Sequence, residues 1–342
     1  MYSVAILGAS GYAGGELIRF VDSHPHFEVV FLGANRRAGE RLRVVHPQLD
    51  GGARLLEGYD DDRVAGSDLV FMALPHGTSA GLAMGLMERG VKIVDLSSDF
   101  RLDTPARYSE AYGEEHPYPE QLGQWTYGIP ELNSGLIAGA DRVASPGCYP
   151  TSVVIPLAPL LREGLIEPTG IIVDSLSGVS GAGRDVSQAL HFGAVDESVK
   201  AYKVLNHRHR PEMESALDAF AGTATSILFT PHLVPMQRGI LSTVYAPVAR
   251  GTSVRTMGDA FDAAYSGSPF VERIEGSPET RWVVGSNKLL ASFHLDERTG
   301  MAVIISAIDN LVKGAAGQAV QNANLMFGFD EATGLPSDGW MP

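Results

Sequence analysis

The sequence predicts an α/β protein in two parts: a doubly wound parallel sheet in residues 1–147, then an α+β domain with a mixed, largely antiparallel sheet over 148–308. Three observations carry this. The first 145 residues alternate short β-branched runs with segments of helical apolar spacing. Their runs VAIL, VVFL and LVFM are apolar without alternation, as strands covered on both faces are. Beyond Ser145, strand-like runs follow one another with fewer helices between.

In order, residues 2–7, 27–33, 68–73 and 91–96 read as strands, with helices over 14–23 and 78–89. A short strand at 142–144 closes the first domain. In the second, 170–176, 226–229, 241–248, 282–284 and 301–308 are the strand candidates. The apolar stretch 153–161 suits a helix, a reading that Pro156 and Pro159 oppose. The last strong helix, 309–327, is rich in small residues and reads as amphipathic. With the tail to 342 it is expected to return to the first domain and complete it. Residues 117–123 and 266–269 are loop signals, and there is no internal repeat.

Composition narrows the function. The chain has 342 residues, 44% of them apolar, and a formal charge of −14, so it repels nucleic-acid backbones and anionic lipid surfaces. Its single cysteine, Cys148, excludes an internal disulfide or a multi-cysteine metal cage and fits a reducing compartment. No run reaches the roughly 18 apolar residues of a membrane span, and the amino terminus lacks the pattern of a secretion signal. A cytoplasmic protein is expected.

Directly after the first strand comes Gly8-Ala9-Ser10-Gly11-Tyr12-Ala13-Gly14, which opens a helix. Such a turn lets backbone N–H groups and the positive helix end approach a pyrophosphate, so a Rossmann-type dinucleotide site is expected here. The second strand ends in Asn35-Arg36-Arg37 where an NAD site usually places an acid, which suits the 2′-phosphate of NADP(H). A solvated arginine pair is the alternative. Leu74, Pro75 and His76 follow another strand, where His76 would shape the loop or touch cofactor.

Cys148 stands in Ser145-Pro146-Gly147-Cys148-Tyr149-Pro150, with Pro150 suited to a first helical turn. There the helix dipole favours a thiolate, although a lone cysteine is also a common buried hydrophobe. Beside a nicotinamide, a thiolate captures an acyl group as a thioester that accepts hydride. Asn206-His207-Arg208-His209-Arg210-Pro211-Glu212 offers the imidazoles, with Glu212 placed to orient His209 on one helix face. A metal site or a basic surface patch would use the same residues; no metal is expected. Gly178 to Arg184 (GVSGAGR) is either an anion-holding loop or a flexible connection.

Taken together, GASGYAGGEL, DLSSDFR (95–101), YGIPEL (127–132), SPGCYPT, GVSGAGR, HRHRPE and DNLVKGAAGQAVQNANLM resemble the N-acetyl-gamma-glutamyl-phosphate reductase family. Those arginine-biosynthesis enzymes are related to aspartate-semialdehyde dehydrogenase, and the resemblance spans the whole chain. It implies NADPH-dependent reduction of an acyl phosphate to a semialdehyde, with Cys148 as nucleophile and Asn310, Leu311 and Gly314 returning to the cofactor. Ser98 and Gly181 are further cofactor candidates; Arg101, Ser145, Arg184 and Arg208 are candidates for the substrate. His209 is the expected acid/base, and His207, freer, would meet substrate oxygens. A homo-oligomer, dimer or tetramer, is expected. The rival readings are a shorter-chain semialdehyde dehydrogenase and a catalytically silent NADP-binding regulator.

Overall fold

A computed structural model describes residues 1–341. The chain forms two compact units: Met1–Pro105, Glu115–Pro146 and Ala315–Leu335 make the first, while Ala106–Glu114, Gly147–Gly314 and the stretch from Pro336 make the second. Residues 106–114, 309–314 and those from Pro336 thus lie in the second unit, where the sequence placed them in the first. Side-chain and backbone ties explain this. Arg107 reaches Asp218 at 2.6 Å and Ser215 at 2.7 Å, and the Trp340 N–H donates to the Val284 carbonyl at 2.7 Å.

In the first unit, β1 (Tyr2–Leu7), β2 (Phe27–Gly33), β3 (Leu69–Met72), β4 (Lys92–Asp95), β5 (Thr126–Tyr127) and β6 (Arg142–Ala144) form one sheet. Its order is β2-β1-β3-β4-β6-β5, with every neighbour parallel. β3 is buried along its whole length, as an unbroken apolar run in a doubly covered sheet should be. Helices Tyr12–Asp22 and Ser79–Glu88 follow β1 and β3.

The helix Gly317–Met326 packs against Pro130–Ala138 and Tyr12–Asp22 within this unit. It is not amphipathic: Gln318, Gln321, Asn322 and Asn324 are all fully buried. Three of these amides bond to groups around them, although the buried Asn322 Oδ1 makes no hydrogen bond to a described residue. Asn322 Nδ2 donates to the Gly128 carbonyl at 3.0 Å, Asn324 Oδ1 meets His24 Nε2 at 3.0 Å, and Gln321 Nε2 donates to Glu131 and Glu331.

The second unit holds β7 (Ile171–Ser177), β8 (Lys200–Ala201), β9 (Ile227–Leu233), β10 (Ile240–Pro247), β11 (Val271–Arg273), β12 (Leu289–Asp296) and β13 (Met301–Ile308). The order is β11-β12-β13-β10-β7-β9-β8, antiparallel except at β11/β12 and β7/β9. The expected strand at 282–284 is instead a helical turn, Thr280–Val283. It stops at Gly285, whose φ of +83° and N–H bond to Asp309 turn the chain away.

Pro156 and Pro159 do not break the helix Cys148–Arg162. Each proline leaves the carbonyl four residues earlier without its usual N–H donor. Here Ser306 Oγ donates to the Ser152 carbonyl at 2.6 Å and the Tyr265 hydroxyl to the Ile155 carbonyl at 2.5 Å. Two hydroxyls from β13 and the helix Val254–Tyr265 replace the two lost amides.

Candidate active site

Cys148 is the first residue of its 15-residue helix, and Gly147 is the N-cap. Free N–H groups and the helix dipole favour an anion there, so a thiolate is supported electrostatically. The Gly147 N–H donates to Oε1 of the buried Glu212 at 2.7 Å. Glu212, expected to orient His209, is thus found holding the start of the thiol's own helix.

The opposite side of Cys148 is closed by backbone. A Cβ added at Gly314 would lie 2.7 Å from Cys148 Cβ and 3.2 Å from its Cα. Gly314 sits in a π-helical turn, Val312–Ala316, its N–H bonded to the Asp309 carbonyl at 2.9 Å. The buried Asp309 carboxylate accepts from the N–H groups of Gly285, Leu311 and Val312 and pairs with Arg238 at 3.1 Å.

His209 begins the helix His209–Ala221, which packs on the thiol helix. His207 and His209 are buried, their rings 4.8 Å apart. His207 Nδ1 accepts the His209 N–H at 3.1 Å, which puts its own proton on Nε2. Its ring stands edge-on to Tyr149, Tyr202 and Phe229 at 5.5, 5.6 and 5.3 Å. Burial, with the charges of Lys203 and Arg208, pushes its pKa down to about 3. His207 is therefore caged and neutral rather than free. The hydroxyls of Tyr149 and Tyr202 lie 2.9 Å apart, and burial raises both, Tyr202 to about 12.

The GVSGAGR segment forms a short 3₁₀ turn, Val179–Ala182. Asn310 stitches it down: Nδ2 donates to Ser180 Oγ at 3.0 Å, and Oδ1 accepts the Gly239 N–H at 2.7 Å. A Cβ at Gly181 would stand 3.0 Å from Ser177 Oγ and 3.8 Å from Asn310 Nδ2, so these two candidates are neighbours. Arg184 and Arg208 are half-buried in the same unit.

The first unit carries the glycine turn. Gly8 has φ +81°, and a Cβ there would fall 2.1 Å from the Ala73 carbonyl oxygen; at Gly14 it would fall 2.3 Å from that of Gly8. Gly11 caps the helix that starts at Tyr12 and Ala13, with Ser10 beside it. The space and the N–H groups fit a pyrophosphate. His46, which the sequence did not single out, supports the turn by bonding the Ala9 carbonyl at 2.8 Å. Asn35 and Arg36 are exposed just beyond β2, and Arg37 lies 3.5 Å from Glu40.

Past Leu74 and Pro75, His76 Nδ1 lies 3.0 Å from Asp99 and 2.9 Å from Ser98 Oγ. Burial raises the Asp99 pKa, but His76 and the N–H groups of Gly77 and Ala80 outweigh it and hold the carboxyl below its ordinary value. This buried loop anchor, also missed, lay inside DLSSDFR; only the fold shows what it holds. Arg101 gives Nε to the Ser145 carbonyl at 2.9 Å and Nη2 to that of Leu96 at 2.7 Å, so two of its donors shape the loops rather than reach outward. Ser145 Oγ is buried and makes no hydrogen bond to a described residue. No group of three or more His, Cys, Asp or Glu placed to hold a metal occurs among the described residues.

A thiol at a helix head with imidazoles beside it, on a chain that also carries a dinucleotide turn, defines a dehydrogenase of the semialdehyde type. Residues 3–140 match the family "Semialdehyde dehydrogenase, NAD binding domain", and 148–310 match "Semialdehyde dehydrogenase, dimerisation domain". The first unit is accordingly a nicotinamide dinucleotide domain. Aspartate semialdehyde dehydrogenase II of Vibrio cholerae shares the fold with a TM-score of 0.73 at 19% identity, over 96% of this chain and 98% of that one.

Closer relatives name the family. N-acetyl-gamma-glutamyl-phosphate reductases of Moorella thermoacetica and Syntrophobacter fumaroxidans are 44% and 47% identical, over the full length of both chains. That of Magnetococcus marinus is 48% identical over 98% of this chain and 97% of its own. The chain belongs to the N-acetyl-gamma-glutamyl-phosphate reductase family.

Proposed function

We propose that the protein reduces N-acetyl-gamma-glutamyl phosphate to N-acetylglutamate 5-semialdehyde and phosphate, using NADPH, in arginine biosynthesis. The observation that carries the chemistry is Cys148 at a helix head whose cap is held by Glu212, with His207 and His209 packed alongside. The thiolate attacks the γ-acyl carbon, the carbon–oxygen bond to phosphate breaks, and a thioester forms. Arg184 and Arg208 supply cations for the anionic substrate, with Arg101 and Ser145 as further candidates. When bound, the nicotinamide supplies the hydride that converts the thioester into a thiohemiacetal oxyanion. Neutral His207 donates from Nε2–H to a substrate oxygen and so helps to hold the substrate. His209 gives the oxyanion a proton and recovers one as the carbon–sulfur bond breaks, which frees the aldehyde and restores the thiolate.

For the cofactor, Gly8, Ser10, Gly11, Tyr12, Ala13 and Gly14 form the pyrophosphate cradle, and Asn35, Arg36 and Arg37 meet the 2′-phosphate of NADP(H). Leu74, Pro75, His76 and Ser98 support the cradle from the next loop; Gly181, Asn310 and Gly314 are the second unit's candidates. The dimerisation-domain match supports a homo-oligomer, and the single cysteine, which fits a reducing compartment, supports a cytoplasmic one. No helix of the described residues is long and apolar enough to cross a membrane. The test is oxidation of N-acetylglutamate 5-semialdehyde with NADP and phosphate, against aspartate semialdehyde. Preference for the aspartate substrate would overturn the assignment.

A further inference from the structure

Among the described residues, the non-glycine positions with positive φ are Glu197 (+54°), Lys203 (+46°) and Leu205 (+64°). Two of them lie between Tyr202 and His207. Side chains rarely adopt this conformation, and it persists only where the surroundings enforce it. Burial does not supply that force here: Val204 and Leu205 are 51% and 66% exposed. What ties the segment down is at its ends. The Tyr202 N–H donates to the Pro231 carbonyl at 3.1 Å, Asn206 N–H to the Lys203 carbonyl at 3.1 Å, and the Tyr202 hydroxyl meets that of Tyr149 at 2.9 Å. Tyr149 is the residue next to the thiol, and the Tyr202 ring stands edge-on to His207 at 5.6 Å.

We propose that Tyr202 is a positioning residue, whose hydroxyl bond to Tyr149 holds the strained 203–205 turn in place and so keeps His207 and His209 in register with the thiol helix. This rests on the reading of Cys148 and the histidines given above. Without the hydroxyl, the turn relaxes and the link from the His209 N–H to His207 Nδ1 loosens with it. Relieving the strain should compensate, because glycine adopts positive φ without the steric cost.

The test compares wild type, Tyr202→Phe, and Tyr202→Phe combined with Lys203→Gly and Leu205→Gly. Two readouts are taken: amide exchange of residues 203–209, and kcat in the phosphate-dependent oxidation of the semialdehyde. Loss of one hydrogen bond predicts about five- to tenfold faster exchange and a similar fall in kcat for Tyr202→Phe, with NADPH affinity unchanged. The triple variant should regain at least half of both losses on a logarithmic scale. Tyr202→Phe within twofold of wild type, or a triple variant no better than the single, overturns the proposal. If wild type does not turn over this substrate, the functional reading falls, and exchange alone still decides the role of Tyr202.

Discussion

Replacing Gly314 by Ala tests how tightly the nucleophile is seated. The added methyl would start 2.7 Å from Cys148 Cβ, 3.2 Å from Cys148 Cα and 3.3 Å from Ile308 Cδ1. Restoring ordinary contact at 3.4 Å requires Cys148 and the 312–316 turn to separate by at least 0.7 Å. Neither partner is the tip of a flexible side chain: one is the root of the thiol, the other a turn fixed by Asp309. A misplacement of about 1 Å can cost about 10²-fold in rate, so kcat should fall roughly ten- to a hundredfold, or about 1.4 to 2.7 kcal/mol in barrier. Overpacking should also cost about 1 to 3 kcal/mol of stability, read as a lower Tm. The assay pairs kcat at saturating NADPH with alkylation of Cys148 by iodoacetamide and with NADPH titration. A kcat within threefold of wild type and unchanged alkylation would refute the steric reasoning. Weakened NADPH binding with kcat intact would make Gly314 a cofactor contact.

Cys148→Ser should lower turnover by more than about 10²-fold while NADPH still binds, since the sulfur carries the covalent intermediate and not the cofactor; turnover within tenfold would exclude that role. Arg36→Ala with Arg37→Ala should remove most of a preference for NADPH over NADH, read as the ratio of kcat/KM values; an unaltered ratio would locate the preference elsewhere. His209→Asn should cost about 10² to 10⁴ in kcat and flatten its pH profile. His207→Asn should mainly raise KM and leave the profile's limbs in place, because a group held down to about 3 does not titrate near neutrality; the reverse pattern would exchange the roles. Asp95 is buried, and burial raises its pKa from 3.8 to about 6 against its bonds to Ser97. A raised carboxyl favours the fold at low pH, and that contribution is lost as pH rises through about 6. Asp95→Asn should remove a pH-dependent difference of about 2 kcal/mol between pH 4 and 7 in denaturant unfolding; parallel stability curves would contradict it.

Elements whose signal is local were legible in the sequence. β1, β2 and β3 announce themselves by unbroken apolar runs, and the glycine turn by residues that a Cβ would exclude. What remained hidden depends on partners far along the chain. Nothing near Pro156 or Pro159 shows that Ser306 and Tyr265 will take their orphaned carbonyls. The amides of Asn322 and Asn324 read as the polar side of an amphipathic helix because the groups that they bond, such as the Gly128 carbonyl, lie almost 200 residues away. The strand reading of 282–284 failed for a related reason, since Gly285 is fixed by Asp309 from another part of the fold. In the site, the cysteine and histidine motifs were legible as chemistry. The bond from the Gly147 N–H to Glu212 was not, since it comes from the packing of two helices and not from spacing along one of them.

The thiol's surroundings share one property with the helix that carries it: each constraint comes from a different element of the same unit. Glu212 holds the cap from the His209–Ala221 helix, Gly314 backs the Cβ, and Tyr149 joins Tyr202. Farther along, β13 and the Val254–Tyr265 helix each supply a hydroxyl to the same helix. A helix missing two of its amide bonds would otherwise bend, and a bend would tilt the dipole that supports the thiolate. The prolines therefore act as selectors rather than as defects. They leave two carbonyls that Ser306 and Tyr265 satisfy, so the bonding of the helix is complete only when β13 and the Val254–Tyr265 helix are in place too. The glycine turn, by contrast, is built from residues of the first unit, with His46 bonded to it and no room for a Cβ at Gly8 or Gly14. The seat of the nucleophile and the glycine turn thus rest on separate contacts, which is why substitutions at Cys148 and Tyr202 should move turnover without moving NADPH affinity, whereas Gly314, itself a cofactor candidate, is the position at which both are to be measured.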